Sequence, residues 1–157
     1  MEKNSQNMSY ASEKERSILD QYYSQIGVTK YKHTAQETKV DSFFLSGATK
    51  IVTEIKCRDY ASTNNAIKDQ FIDDYKFAEL KYYQNASGFS PFFAAYYEKD
   101  SMLYLWDLSD VTESDLDFGK RVLPHKTYVD NPQFVERNVG HLGKSKASYK
   151  YKLRNTI

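Results

Sequence analysis

"KVDSFFLSGATKIVTEIKCRD", residues 39–59, is the stretch on which the fold turns. Two runs rich in Val, Ile, Phe and Thr flank the small residues Gly47 and Ala48. Such runs favour strands, and glycine at the first central position of a two-residue loop suits a type II′ turn. The stretch reads as a β-hairpin with strands near 39–45 and 50–57. Closing it on Gly47-Ala48 sets the register. Ser46 faces Thr49, Phe44 faces Ile51 and Val40 faces Ile55, which gives an apolar face for the core. The opposite face carries Phe43 against Val52, Asp41 against Glu54, and Lys39 against Lys56.

Side chains directly opposite one another in an antiparallel pair lie about 5 Å apart at Cβ, and like charges there are destabilising. A solvated outer face would relieve the Asp41–Glu54 repulsion through diagonal Asp–Lys pairs worth at most about 1 kcal/mol each. A divalent cation between the two carboxylates would use the repulsion instead. Oxygen ligands in this number suit Mg²⁺ or Mn²⁺, which combine carboxylates with water and substrate phosphate. The pairing alone leaves both readings open.

Upstream of the hairpin, residues 1–10 read as a disordered leader, and residues 11–157 as a single domain. In "SEKERSILDQYYSQI", Ser12 and Glu15 have the spacing of a capping box. Ile18, Leu19, Tyr22 and Ile26 recur at helical intervals. The spacing predicts a helix over 13–25. Glu15 lies within about 40° of Leu19, Tyr22 and Ile26 around that helix, so it points inward. A short strand is expected near 28–33.

Downstream, "STNNAIKDQFIDDYKFAELKYYQN" reads as one long amphipathic helix. Ile67, Phe71, Tyr75, Ala78 and Tyr82 form its apolar stripe, and it stops before Ser87-Gly88. "PFFAAYYEKD" and "SMLYLWDL" read as strands joined by a turn near Lys99-Asp100. Residues 107–117 form an acidic loop or short capped helix, and "KTYVD" and "YKYKL" are two short edge strands. The order predicts an α/β domain with a central mixed β-sheet flanked by helices.

The composition bounds the function classes. A chain of 157 residues suits one domain with a real core. Its 40% hydrophobic and 27% charged residues are ordinary for a globular protein. No apolar run is long enough to span a bilayer, and the start "MEKNSQNMSY" lacks the apolar core of a signal peptide. The single cysteine, Cys57, forms no internal disulfide, and no Cys/His cluster has zinc spacing. The expected location is the cytoplasm, with no membrane partner. Cys57 shares a strand face with Ile55 and reads as a buried structural thiol. His33, His125 and His141 are too scattered to build a triad.

The net charge of +1 hides an asymmetry. Residues 41–119 hold 7 Lys/Arg against 14 Asp/Glu, whereas residues 120–157 hold 9 against 2. Either the two halves attract one another and keep the chain in solution, or the basic C-terminal segment meets phosphate.

An Asp on one strand followed by Glu-x-Lys on the next resembles the PD-(D/E)XK nuclease superfamily, the restriction-endonuclease-like fold. The residues that carry it are Val40-Asp41, then twelve intervening residues, then Glu54-Ile55-Lys56. Val40 stands where the family name has Pro. The order of elements over residues 12–108 is also similar to the family core. The resemblance implies a metal-dependent DNA nuclease that hydrolyses phosphodiester bonds. Asp41 and Glu54 would hold Mg²⁺ or Mn²⁺ with the Ile55 backbone carbonyl, and Glu15 of the first helix is the candidate for a further acidic ligand. Lys56 would activate the attacking water and stabilise charge in the transition state. Arg58, Lys76, Lys81, Lys144, Lys146, Lys150 and Lys152 are candidates for contacts to the DNA backbone, which position a substrate without reading its sequence. Cutting both strands with one small domain is compatible with a homodimer. The alternative is a catalytically silent nucleic-acid-binding or interaction module of the same fold.

Overall fold

β2 (Ser42–Ser46) and β3 (Thr49–Arg58) pair antiparallel in the expected register, with Ser46 opposite Thr49, Phe44 opposite Ile51 and Phe43 opposite Val52. Gly47 has φ +62°. Ala48 is not among the described residues with positive φ, as a type II′ turn requires. The structure, a computed structural model, describes residues 2–34, 40–124 and 134–154, with the α1 side chains described from residue 13. Lys39, His125 and the strand expected at 126–130 lie outside the described residues.

The other elements are α1 (Glu2–Ile26), β1 (Tyr31–His33), β4 (Asp69–Asp73), α2 (Asp74–Ser87), β5 (Ser90–Tyr97), β6 (Met102–Asp107), α3 (Glu113–Leu116), β7 (Gly119–Pro124), β8 (Phe134–Gly143) and β9 (Tyr149–Lys152). A six-stranded sheet runs in the order β1-β2-β3-β5-β6-β9. It is mixed, because β3 and β5 pair in parallel while the other neighbours are antiparallel. The parallel pair requires a crossover, supplied by β4 and α2. The expected α/β class with a central mixed sheet is the class observed.

The sheet separates two cores. Along β5, Phe92, Ala94 and Tyr96 pack with Ile18, Leu19, Tyr22 and Tyr23 of α1. Phe93, Ala95 and Tyr97 alternate to the other face, against Phe77 and Leu80 of α2. Each such large apolar side chain contributes about 1.5–3 kcal/mol relative to exposure. β3 follows the same alternation: Ile51 and Ile55 face the α1 core and Val52 the α2 core. Glu54, two residues beyond Val52, therefore emerges on the α2 side of β3, within its buried middle.

Three expectations need correction. The helix predicted over 13–25 begins at Glu2, so residues 2–10 continue it as helix and Ser12 lies inside it rather than at an N-cap. The long helix predicted through residues 62–86 is instead strand β4 followed by α2. β4 pairs with β8, with Asp69 opposite Gly143 and Ile72 opposite Gly140. Gln70 and Ile72 are both buried, and Gln70 bonds the hydroxyls of Tyr60 and Tyr97 while accepting from Arg58. A partner far along the chain thus overrides a local 3.6-residue pattern. The stripe placed on that helix is not the core face: Tyr75 and Tyr82 are 51% and 61% exposed, and Phe77 and Leu80 are buried instead.

β4, β8 and β7 form a separate three-stranded antiparallel sheet. α3 carries a capping box built by Thr112 and Asp115, within the acidic loop expected there. β9 is an edge strand beside β6, as "YKYKL" suggested. Among the described residues no helix is long and apolar enough to cross a membrane.

Candidate active site

Asp41 sits just ahead of β2, where the regular ladder stops. Its N–H donates to the Thr53 carbonyl at 2.9 Å, and its own carbonyl accepts from the Thr34 N–H at 2.9 Å. Its carboxylate reaches along β3, where Oδ2 accepts the Ile55 N–H at 2.7 Å. The backbone is thus shifted from the ideal pairing, yet the Asp41 carboxyl still lies close enough to that of Glu54 for each to act on the other's proton affinity. The like-charge pair read from the hairpin is present.

Glu54 is completely buried. Its Oε1 meets two ammonium groups, Lys76 Nζ at 2.5 Å and Lys56 Nζ at 3.2 Å. Its Oε2 is buried and, among the described residues, receives no hydrogen bond from a donor. Burial acts to raise the Glu54 pKa. Lys56 and then Lys76 outweigh it, and the group is held below the ordinary carboxylate value. Asp41 goes the other way. Burial first, then the charges of Glu54 and Glu15, push its carboxyl well above the ordinary value against the pull of Lys56.

α1 brings Glu15 into the same field. Burial raises its pKa, Lys56 opposes that, and the charge on Glu54 adds to it. The inward face predicted for Glu15 is the face observed. Lys56 loses hydration, but Glu54, Glu15 and Asp41 more than compensate and raise its pKa, so the ammonium stays charged. Its side chain is 34% exposed, against 14% for Lys76 and 1% for Glu54. Lys56 is therefore the cation of this cluster most open to a ligand.

The donor set fits a hard divalent cation in one respect: two adjacent carboxylates present a buried oxygen that lacks a donor. It is sparse in another. Among the described residues, no group of three or more His, Cys, Asp or Glu side chains is placed to hold one ion. Glu15 shares the electrostatics of the pair without joining it in a common ligand shell. The Ile55 carbonyl lies on β3 between Glu54 and Lys56, with Ile55 in register with Ala94 of β5.

Several of the residues expected to touch DNA are engaged within the protein. Arg58 donates to Gln70 Oε1 at 2.8 Å. Lys144 donates to the carbonyls of Ser62 and Asn64 at 2.8 and 2.9 Å. Lys81 donates to the carbonyls of Leu108 and Ser109, and Lys152 to that of Asp100. Lys150 is exposed and lies over the Tyr104 ring at 4.9 Å, and Lys146 is exposed. Lys76, read as a phosphate contact, is the closest cation to Glu54. Its role was hidden because the predicted helix gave no register between α2 and β3.

Cys57 is only partly buried, packed against the α1 core, and burial pushes its thiol up to about 12. His33 joins Asp20 Oδ1 at 2.7 Å to Ser42 Oγ at 3.2 Å. Ser42 is fully buried, and its Oγ also accepts from Tyr23 and donates to the Lys32 carbonyl, so this chain ties α1 to the sheet. A cavity of about 730 Å³ lies between β6, α3 and β8, lined among others by Trp106, Asp115 and His141. Asp41, Glu54 and Lys56 are not in its wall. No protein-family model matches this chain, and no curated protein matches it either.

Proposed function

We propose that this protein is a metal-dependent nuclease that hydrolyses phosphodiester bonds in DNA, working at Asp41, Glu54 and Lys56. The observation that carries the reading is the buried Glu54 carboxylate. One of its oxygens is held by two lysines, and the other is buried without a partner among the described residues. Acid groups with perturbed proton affinities cluster at functional sites, and here a fully buried Glu54 and a partly buried Asp41 are pushed in opposite directions. The order of elements supports the reading: helix, Asp-bearing hairpin, Glu-Ile-Lys strand, then a helix and further strands, as the PD-(D/E)XK resemblance has it, with β4 standing ahead of α2 where one long helix was expected.

Glu54 Oε2 and the Asp41 carboxylate would hold Mg²⁺ or Mn²⁺, with the Ile55 carbonyl as a further oxygen. When bound, the ion supplies Lewis acidity at the scissile phosphate and lowers the pKa of an accompanying water. The same burial and neighbouring charge that raise the Asp41 pKa oppose its ionisation, and a bound cation would favour the carboxylate. Lys56, charged and partly open, places a fixed positive group against the phosphate as negative charge develops. The test is incubation of labelled linear, circular and four-way-junction DNAs with Mg²⁺ and either the parent or Asp41→Asn. The proposal expects cleavage by the parent that depends on Mg²⁺ and is lost in the variant. A parent inert on every substrate would overturn it.

The second reading is a silent nucleic-acid-binding or interaction module. It is favoured by the absence, among the described residues, of a third acidic or His ligand close to the pair. On that reading, Lys56 and Lys76 neutralise Glu54 as a structural ion cluster, and DNA is bound without turnover.

A further inference from the structure

We infer that Lys76 is a positioning residue for this site: it locks Glu54 by one oxygen, so that the other faces the cation, and it releases Lys56 for the substrate. The inference rests on the nuclease reading above and divides the labour of two lysines that the sequence does not distinguish. It begins with geometry. Both ammonium groups meet the same oxygen, Glu54 Oε1, but Lys76 is nearer, at 2.5 Å against 3.2 Å. Lys76 is also the more enclosed, with a side chain 14% exposed against 34%.

The two lysines come from different elements. Lys56 is on β3, two residues from Glu54 and on the same strand face. Lys76 is in the first turn of α2, which packs on β3 and β5 with Phe77 and Leu80 in the core. Phe77, the next residue, is anchored in that core, so the start of the Lys76 side chain is fixed by packing. A rigid helix thus reaches across the sheet to hold a strand carboxylate. Partners that orient a ligand in this way set which oxygen it offers.

Charge supports the same division. A buried Glu54 served by Lys56 alone would have to draw that ammonium fully onto itself, since an unpaired buried carboxylate is costly. With Lys76 in place, Lys56 sits at a looser distance and remains partly exposed. Oε2 is buried and left without a partner among the described residues. A Glu54 free to rotate would offer the cation either oxygen and would hold neither in a fixed place.

The test is calorimetric titration with Mn²⁺ of the parent, Lys76→Met, Lys76→Arg and Lys56→Met, each with its melting curve. Loss of an orienting partner of this kind typically weakens metal affinity by about 10–100-fold. Lys76→Met should show a loss of that size in its folded fraction, and Lys76→Arg should recover most of it. Lys56→Met should change the affinity far less. Should Lys76→Met fail to fold, Lys76→Gln, which keeps a donor for Oε1, takes its place with a smaller loss in the same direction. A purely structural lysine would lower the melting temperature without altering Mn²⁺ affinity in the folded protein. Equal Mn²⁺ affinity in the parent and the folded Lys76 variants would overturn this inference and leave the nuclease reading standing. A parent that binds no Mn²⁺ would overturn both.

Discussion

Glu54 keeps its charge at zero exposure because two ammonium groups meet one of its oxygens, and Asp41 bears the consequence. Held between burial, Glu54 and Glu15, the Asp41 carboxyl has its folded pKa raised above the ordinary carboxylate value. The linkage sign follows. The fold favours protonated Asp41, so its contribution to stability is fully present below the unfolded pKa and is lost as pH rises through the raised folded one. Asn at this position keeps an oxygen to accept the Ile55 N–H but carries no charge. Without divalent cations, Asp41→Asn should therefore melt above the parent at pH 8, and the gap should narrow as the pH falls toward 4. Thermal melts in a chelating buffer at both pH values check this. A gap independent of pH, or one of opposite sign, would show that Asp41 carries no such penalty.

At the scale of elements, the hairpin was legible because its determinants are local. Glycine at a positive-φ turn position and alternating β-branched residues fix the register within a few residues, and that register puts Asp41 near Glu54. The inward face of Glu15 was legible for the same reason, as a matter of angle around one helix. Residues 62–86 were not. Asp69–Asp73 becomes a strand because β8, far along the chain, offers it a ladder. Arg137 of β8 also binds Asp73 at the start of α2, and nothing within residues 62–86 encodes that partner. The role of Lys76 was lost with the same element, since its meeting with Glu54 depends on how α2 crosses the sheet. Lys144 illustrates the converse error. It looked like one of several free tail lysines, but it holds the carbonyls of Ser62 and Asn64 ahead of β4.

For the whole molecule, the charge asymmetry has to be recounted by what each cation already does. Lys144 and Lys152 serve backbone carbonyls, whereas Lys146 and Lys150 are exposed. If the basic segment meets DNA, these last two are the residues through which the salt dependence should act. Each phosphate contact contributes about 0.9 to the slope of log affinity against log salt on duplex DNA. Replacing Lys146 and Lys150 by Gln should weaken binding to all sequences alike and flatten the slope by up to roughly 2. Fluorescence anisotropy over a salt series measures it, and an unchanged slope would leave the asymmetry as attraction between the acidic and basic parts of the chain.

The central claim is that Lys56 acts on the substrate while Lys76 serves the fold of the site. Lys56→Met removes an ammonium that is one-third exposed and only the second-nearest to Glu54. The stability cost should be small, on the order of 1 kcal/mol, since the better partner remains. That corresponds to a melting temperature lower by about 2–4 °C in a chain of this size. Loss of a donor aimed at developing charge costs about 10²–10³ in rate. The measurement is melting temperature and single-turnover DNA cleavage in Mg²⁺, on one preparation each of the parent and Lys56→Met. Lys56→Met should melt close to the parent, still bind Mn²⁺ and DNA, and cleave hundreds of times more slowly. A variant that melts like the parent and cleaves as fast would contradict it.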